Sequence, residues 1–106
     1  MSTQLRRTEE QLESVKQELL ALGPMRPGSI TRQYRLPKEK KRPFYQISYT
    51  HQMRSHTEYV RPENLAGLRR ETATFRRFRT LIDRCVVLAL KASKLRIAQT
   101  NLSPRP

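Results

Sequence analysis

The chain has 106 residues, of which 22 are Lys or Arg and nine are Asp or Glu, a formal net charge of +13, with one Cys and no Trp. That length allows one small domain rather than two independent cores, one Cys excludes both an internal disulfide and a Cys-rich zinc site, and no stretch approaches the roughly 20 apolar residues a membrane span needs. Met1 to Glu10 is polar and contains Glu9 and Glu10, so it reads as neither a signal peptide nor an acid-poor transit peptide, and a reducing cytoplasm is the expected compartment.

A charge of +13 on so short a chain repels itself in the compact state. A polyanionic partner offsets that repulsion, and nucleic acid is the commonest one; an acidic protein or an anionic membrane surface is the plainer alternative. The charge is also uneven. Residues 1–22 carry three basic groups and four acids, a net of −1, whereas residues 23–61 and residues 62–106 each carry +7.

Residues 1–22 read as a helix. Leu5, Leu12 and Leu19 recur every seven residues, and Thr8, Val15 and Leu22 form a second such row offset by three. Together they make an a/d seam on one helix face. Ser2 or Thr3 is a candidate N-cap and Gly23-Pro24 a stop signal. Three heptads are marginal as a free coiled coil, so the seam requires a partner, in this chain or in a second subunit.

Residues 28–61 read as a small antiparallel β-meander. Gly23, Pro24, Pro27 and Gly28 mark an irregular lead-in. In Ser29 to Leu36, Ile30, Arg32, Tyr34 and Leu36 alternate with Thr31, Gln33 and Arg35, which suits a half-exposed strand. Pro37 to Pro43 is a basic loop. Phe44 to Thr50, rich in aromatic and β-branched residues, is the clearest strand. Gln52 to Ser55 reads as a turn, and His56 to Val60 as a third short strand closed by Arg61-Pro62. A sheet this small needs cover on one face.

The cover comes from a long amphipathic helix over 62–98. Pro62 suits a first helical turn and Glu63 the positive helix end. Leu68, Phe75, Ile82 and Ala89 form one seven-residue row, Phe78, Cys85 and Ala92 a second, and Leu81, Leu88 and Leu95 a third. The fold class is therefore α+β: an N-terminal helix, a three-stranded meander, and a long C-terminal helix that packs on the sheet and on the first helix. Residues 1–100 are expected to form a single domain, with a disordered tail over 101–106. Antiparallel packing would set Leu5, Leu12, Val15 and Leu19 against Ile82 to Leu95, while Leu68 to Phe78 cover the sheet. A homodimer through the leucine seam is the rival arrangement.

Catalytic and metal chemistry find little here. Cys85 lies on the apolar stripe, and His51 and His56 are too few to make a site that needs three or four convergent ligands. There is no Gly-x-Ser-x-Gly and no phosphate-cradling Gly-rich loop. Glu39, Glu58, Glu63, Glu71 and Asp83 form no close cluster of the kind a metal-dependent nuclease needs. No catalytic residue, metal ligand or cofactor is assigned, and the chain is expected not to be an enzyme.

The basic residues form the candidate site. Lys38, Lys40, Lys41 and Arg42 make a dense loop beside Phe44 and Tyr45, suited to phosphates. Arg32 and Arg35 lie in the first strand with Gln33. Gln46 and Ser48 give the second strand a hydrogen-bonding face, and a sheet face of Arg, Gln, Ser and Thr suits a major groove. Tyr34, Tyr45 and Tyr49 could instead stack unpaired bases, although Tyr45 and Tyr49 fit better as packing under the long helix. Gln52 and Arg54 lie in a polar turn. Arg69, Arg76 and Arg77 share much of one face of the long helix, as phosphate contacts or as a solvated surface.

The run Gly28-Ser29-Ile30, Tyr34-Arg35, Pro43-Phe44-Tyr45-Gln46-Ile47-Ser48-Tyr49, Tyr59-Val60 and Arg69-Arg70 through Phe75-Arg76-Arg77-Phe78 resembles a family of small bacterial proteins of undetermined function often found with transposons and other mobile elements. Typical members read Gly-Ser-Leu, a tyrosine strand, Gly-Pro-Tyr-Tyr-x-Leu, Tyr-Val-Pro, and a helix with a spaced Tyr/Phe pair. The resemblance covers about residues 26–95. Many relatives carry a Cys-rich knuckle between the first two strands, where this chain has Lys38 to Arg42 and no Cys, so a metal role is not implied here. The resemblance implies a mobile-element context and no established activity, and it transfers no functional residues.

The expected function is a non-enzymatic, DNA-binding accessory protein of a mobile element. RNA binding by the same surface, and a coiled-coil interaction module built on the leucine seam, are the alternatives.

Overall fold

A computed structural model describes residues 3–102. The order of elements is α1 (Thr3–Leu20), β1 (Ser29–Leu36), β2 (Lys41–His51), β3 (Arg54–Val60) and α2 (Pro62–Leu102). The class is α+β, as the sequence predicts. Of the candidate caps of α1, Thr3 is its first helical residue and Ser2 lies outside the described residues. Asn101 and Leu102 continue α2, so they do not belong to a disordered tail; residues 103–106 lie outside the described set. The residues separate into two compact units, one of residues 1–22 and 77–106 and one of residues 23–76. The helix α2 runs through both.

In the helical unit, α1 and the second half of α2 pack as the spacing predicts. Val15, Leu81 and Leu88 form the buried centre, with Leu12, Leu19, Leu22 and Cys85 packed against it. Leu5 and Ala92 are also buried. The buried Thr8 hydroxyl donates to the Gln4 carbonyl at 2.8 Å, which removes the cost of an unsatisfied polar group in the seam. Arg77 pairs with Glu18 at 2.6 Å and Arg96 with Glu9 at 3.3 Å. The chain order of these two pairs makes the hairpin antiparallel. One expectation is corrected. The side of α2 that meets α1 is the Leu81–Cys85–Leu88–Ala92 row, whereas Ile82 and Ala89 are exposed. The leucine seam packs on the chain's own long helix.

In the sheet unit the strand order is β1-β2-β3, antiparallel throughout. Ile30 pairs with Ile47, which pairs with Glu58; Arg32 pairs with Tyr45, which pairs with Val60. Cross-strand partners share a face, so Ile30, Arg32, Tyr34, Tyr45, Ile47, Tyr49, His56, Glu58 and Val60 form one side of the sheet. Ile47 and Val60 are its buried residues. The first part of α2 covers this side: the Arg69 guanidinium lies 5.5 Å from the centre of the Tyr45 ring. The lead-in is tied to the same helix by the Arg26 amide, which donates to the Glu71 carbonyl at 3.1 Å. Gly28 is required where it stands. Its φ is +143°, and a Cβ there would lie 2.9 Å from Ile47 Cγ1.

Both turns are tighter than the sequence implies. The Pro37–Pro43 loop contracts to four turn residues, 37–40, and β2 begins at Lys41. Pro43 is tolerated inside β2 because β3 ends at Val60, opposite Tyr45, so at Pro43 the strand has only β1 as a neighbour. The second hairpin turns on Gln52 and Met53 alone, with φ of 50° and 64°, and β3 therefore starts at Arg54 rather than His56.

Candidate nucleic-acid interface

The strand alternation that buries Ile47 and Val60 turns the intervening residues outward. Ser29, Thr31, Gln33 and Arg35 of β1 lie beside Phe44, Gln46 and Ser48 of β2, and these beside Thr57 and Tyr59 of β3. The Arg35 guanidinium sits 4.8 Å from the centre of the Phe44 ring, which holds that cation on the outer face. Ser48 Oγ and Thr57 Oγ1 are 3.2 Å apart and share a hydrogen bond. Tyr59 is 56% exposed. No carboxylate occurs among these positions.

The four acids of residues 23–76 are placed elsewhere. Glu39 is in the first turn, and Glu63 and Glu71 are on α2. Glu58 is on the helix side, where Arg26 pairs with it at 2.7 Å and the Tyr49 hydroxyl donates to it at 2.9 Å. These bonds, from Arg26 first and then Tyr49, hold the Glu58 carboxyl below the usual carboxylate range. The same contact with Glu58 pushes the Tyr49 phenol above its ordinary value and the Arg26 guanidinium further up. The Arg26 guanidinium also lies 5.1 Å from the centre of the Tyr49 ring, and that ring stacks on His56 at 4.9 Å. The unit carries 12 basic residues and four acids, a net of +8.

The predicted site residues fall into separate groups. Arg35 and Gln46 share the outer face. Lys38, Lys40 and Lys41 sit at the first turn, exposed, with Lys40 in the left-handed region at φ 53°. Arg42 follows at φ 56°, where the regular alternation is broken. Gln52 and Arg54 are at the other hairpin, about 33 Å away along β2 at some 3.3 Å per residue. Arg32 is on the helix side and donates to the Tyr45 hydroxyl at 3.2 Å and the Tyr34 hydroxyl at 3.5 Å. Arg69 is engaged over Tyr45. Arg76 is exposed on α2 in the sheet unit, and Arg77 belongs to the helical unit, paired with Glu18.

Tyr34, Tyr45 and Tyr49 also lie on the helix side, so the outer face does not present them as a stacking platform. Sequence reasoning overlooked Thr57 and Tyr59. The signal that locates them is the register between β2 and β3, which pairs Gln46 with Tyr59 and Ser48 with Thr57. Among the described residues no group of three or more His, Cys, Asp and Glu side chains is placed to hold a metal ion. No described helix is long and apolar enough to cross a membrane.

Comparison with protein-family models, with curated protein sequences and with solved structures finds no match.

Proposed function

We propose that this protein binds duplex DNA without catalysing a reaction on it, laying the outer face of its three-stranded sheet in the major groove. The carrying observation is that face itself: uncovered, free of carboxylate, lined by Thr31, Gln33, Gln46, Ser48 and Thr57, and bearing Arg35. Two strand spacings amount to about 10 Å, and the groove is about 12 Å wide, so side chains rather than backbone reach the base edges. Gln33 and Gln46 are the base-reading candidates, since a carboxamide suits adenine. Lys38, Lys40, Lys41 and Arg42 at one end, and Arg54 at the other, are placed to meet phosphates and set the register. A role as accessory protein of a mobile element rests on the family resemblance alone.

One observation favours a second reading. Phe44 and Tyr59 lie on the outer face, where aromatic rings can stack on unpaired bases of RNA or single-stranded DNA. Fluorescence-anisotropy titrations of the full chain against duplex DNA, single-stranded DNA and structured RNA, at low and at physiological salt, separate the readings. Tightest binding to the duplex, falling steeply with salt and weakened by Arg35→Ala, is the expected result. Preference for an unpaired ligand with loss on Tyr59→Ala supports the second reading, and no binding to any ligand overturns both.

A further inference from the structure

The second half of α2 carries another apolar row, on a side of the helix that the seam does not use. Ile82 is 38% exposed, Val86 53%, and Leu90 and Ile97 56% each. Ala89 and Ser93 are exposed between them. The intervals along the row are four, three, one, three and four residues, which the 3.6-residue period gathers on one face. Single exposed Leu or Val side chains are ordinary on a protein surface. A charge-free row this long is not, on a helix that carries nine basic residues.

We propose that a second copy of this chain docks on this row, α2 against α2, antiparallel about a two-fold axis between Ala89 and Leu90. The row has the same spacing read in either direction. An antiparallel copy therefore brings its Ile97 onto Ile82, its Ser93 onto Val86 and its Leu90 onto Ala89. An isologous contact requires such self-complementarity, because each residue must find its partner twice. Large residues meet small ones at the middle of the row, where two helices come closest.

The flanking charge points to the same occupant. Asp83 is the only acid on α2 beyond Glu71, and Lys94 lies on the same flank of the row. Neither has an ion-pair partner within its own chain among the described residues. In an antiparallel pair, like flanks face each other, so Asp83 of each copy meets Lys94 of the other. These two rim contacts set orientation more than affinity. From Ile82 to Ile97 the row runs about 22 Å along a helix about 10 Å across. That places the contact at the low end of specific interface sizes, and the dimer dissociates on dilution.

The test is sedimentation equilibrium of the full chain, freed of nucleic acid at high salt, with circular dichroism to verify folding. The parent is expected to show a monomer–dimer equilibrium. Val86→Glu and Asp83→Lys are expected to be folded monomers at concentrations where the parent is dimeric. Combining Asp83→Lys with Lys94→Asp restores the dimer, a rescue that a general loss of stability would not produce. A monomer at every concentration overturns the proposal. So does a dimer that survives Val86→Glu, as an exchange of α1 between copies would. No nucleic acid is present, so the outcome is independent of the DNA-binding reading.

Discussion

Neutralising the first turn tests the proposed DNA-binding surface most directly. Lys38, Lys40 and Lys41 are exposed and closely spaced. The triple substitution Lys38→Gln, Lys40→Asn and Lys41→Gln removes three charges; Asn is chosen at Lys40 because φ there is 53° and Asn tolerates that region. Each phosphate contact contributes about −0.9 to the slope of log K against log salt, so three contacts amount to about 2.7. Between 50 and 200 mM salt, the parent then loses about 40-fold more affinity than the variant. A matched control, Lys16→Gln, Arg84→Gln and Lys91→Gln, removes the same charge from exposed positions of the helical unit. The salt-dependent anisotropy titration is expected to show a shallower slope for the turn variant and the parent slope for the control. Equal slope losses in both would refute the reasoning, because binding would then follow net charge rather than this surface.

Three further outcomes are expected. Met53→Gly relieves a non-glycine residue at φ 64° in the two-residue turn and raises the urea midpoint by the equivalent of about 1 kcal/mol; an unchanged or lower midpoint argues against a strained turn. Leu88→Ala leaves a cavity at the centre of the helical unit and lowers stability by about 2–5 kcal/mol in urea unfolding; a changed oligomeric state with unchanged stability would show instead that the seam is shared between chains. Glu58 has a folded-state pKa below its unfolded value, so its contribution is present above the ordinary carboxylate range and is lost as pH falls through the lowered value. A pH series of unfolding curves is expected to decline there for the parent and to be flatter for Glu58→Gln, and identical declines would rule out this cause.

The α1 seam was legible because its heptads leave little choice: Leu5, Thr8, Leu12, Val15, Leu19 and Leu22 are its whole apolar row apart from Leu20 and Ala21. The long helix was less legible for the opposite reason. Three overlapping apolar rows were open, and a seam that meets one helix uses only a narrow face. Which row turned inward depended on the partner, so Ile82 and Ala89 were misplaced while Leu81 and Cys85 were not. A turn was legible over Gln52 to Ser55, but its two-residue form carried no signal, because neither Gln52 nor Met53 is among the residue types that favour positive φ. A two-residue turn there sets the start of β3, and that start sets the register that puts Tyr59 beside Gln46.

The same register sorts the candidate site. Alternation alone separates Arg32 from Arg35, yet both seemed equally available as cations until the covered face was known. Once Ile47 and Val60 fix the buried side, Arg32 falls among tyrosines and Arg35 falls with the glutamines. Glu58 goes to the buried side as well, and there Arg26 and Tyr49 occupy its oxygens. The three tyrosines of the first two strands and the one strand carboxylate thus lie on the same side of the sheet as Ile47 and Val60. What remains outward is Thr, Gln, Ser, Arg35 and two aromatic rings. A surface that combines hydrogen-bonding side chains with unopposed positive charge suits a partner with both base edges and phosphates. An acidic protein would satisfy the charge and leave Gln33, Gln46 and Thr31 without a defined purpose, which is why the outer sheet face, more than the total of +13, favours nucleic acid.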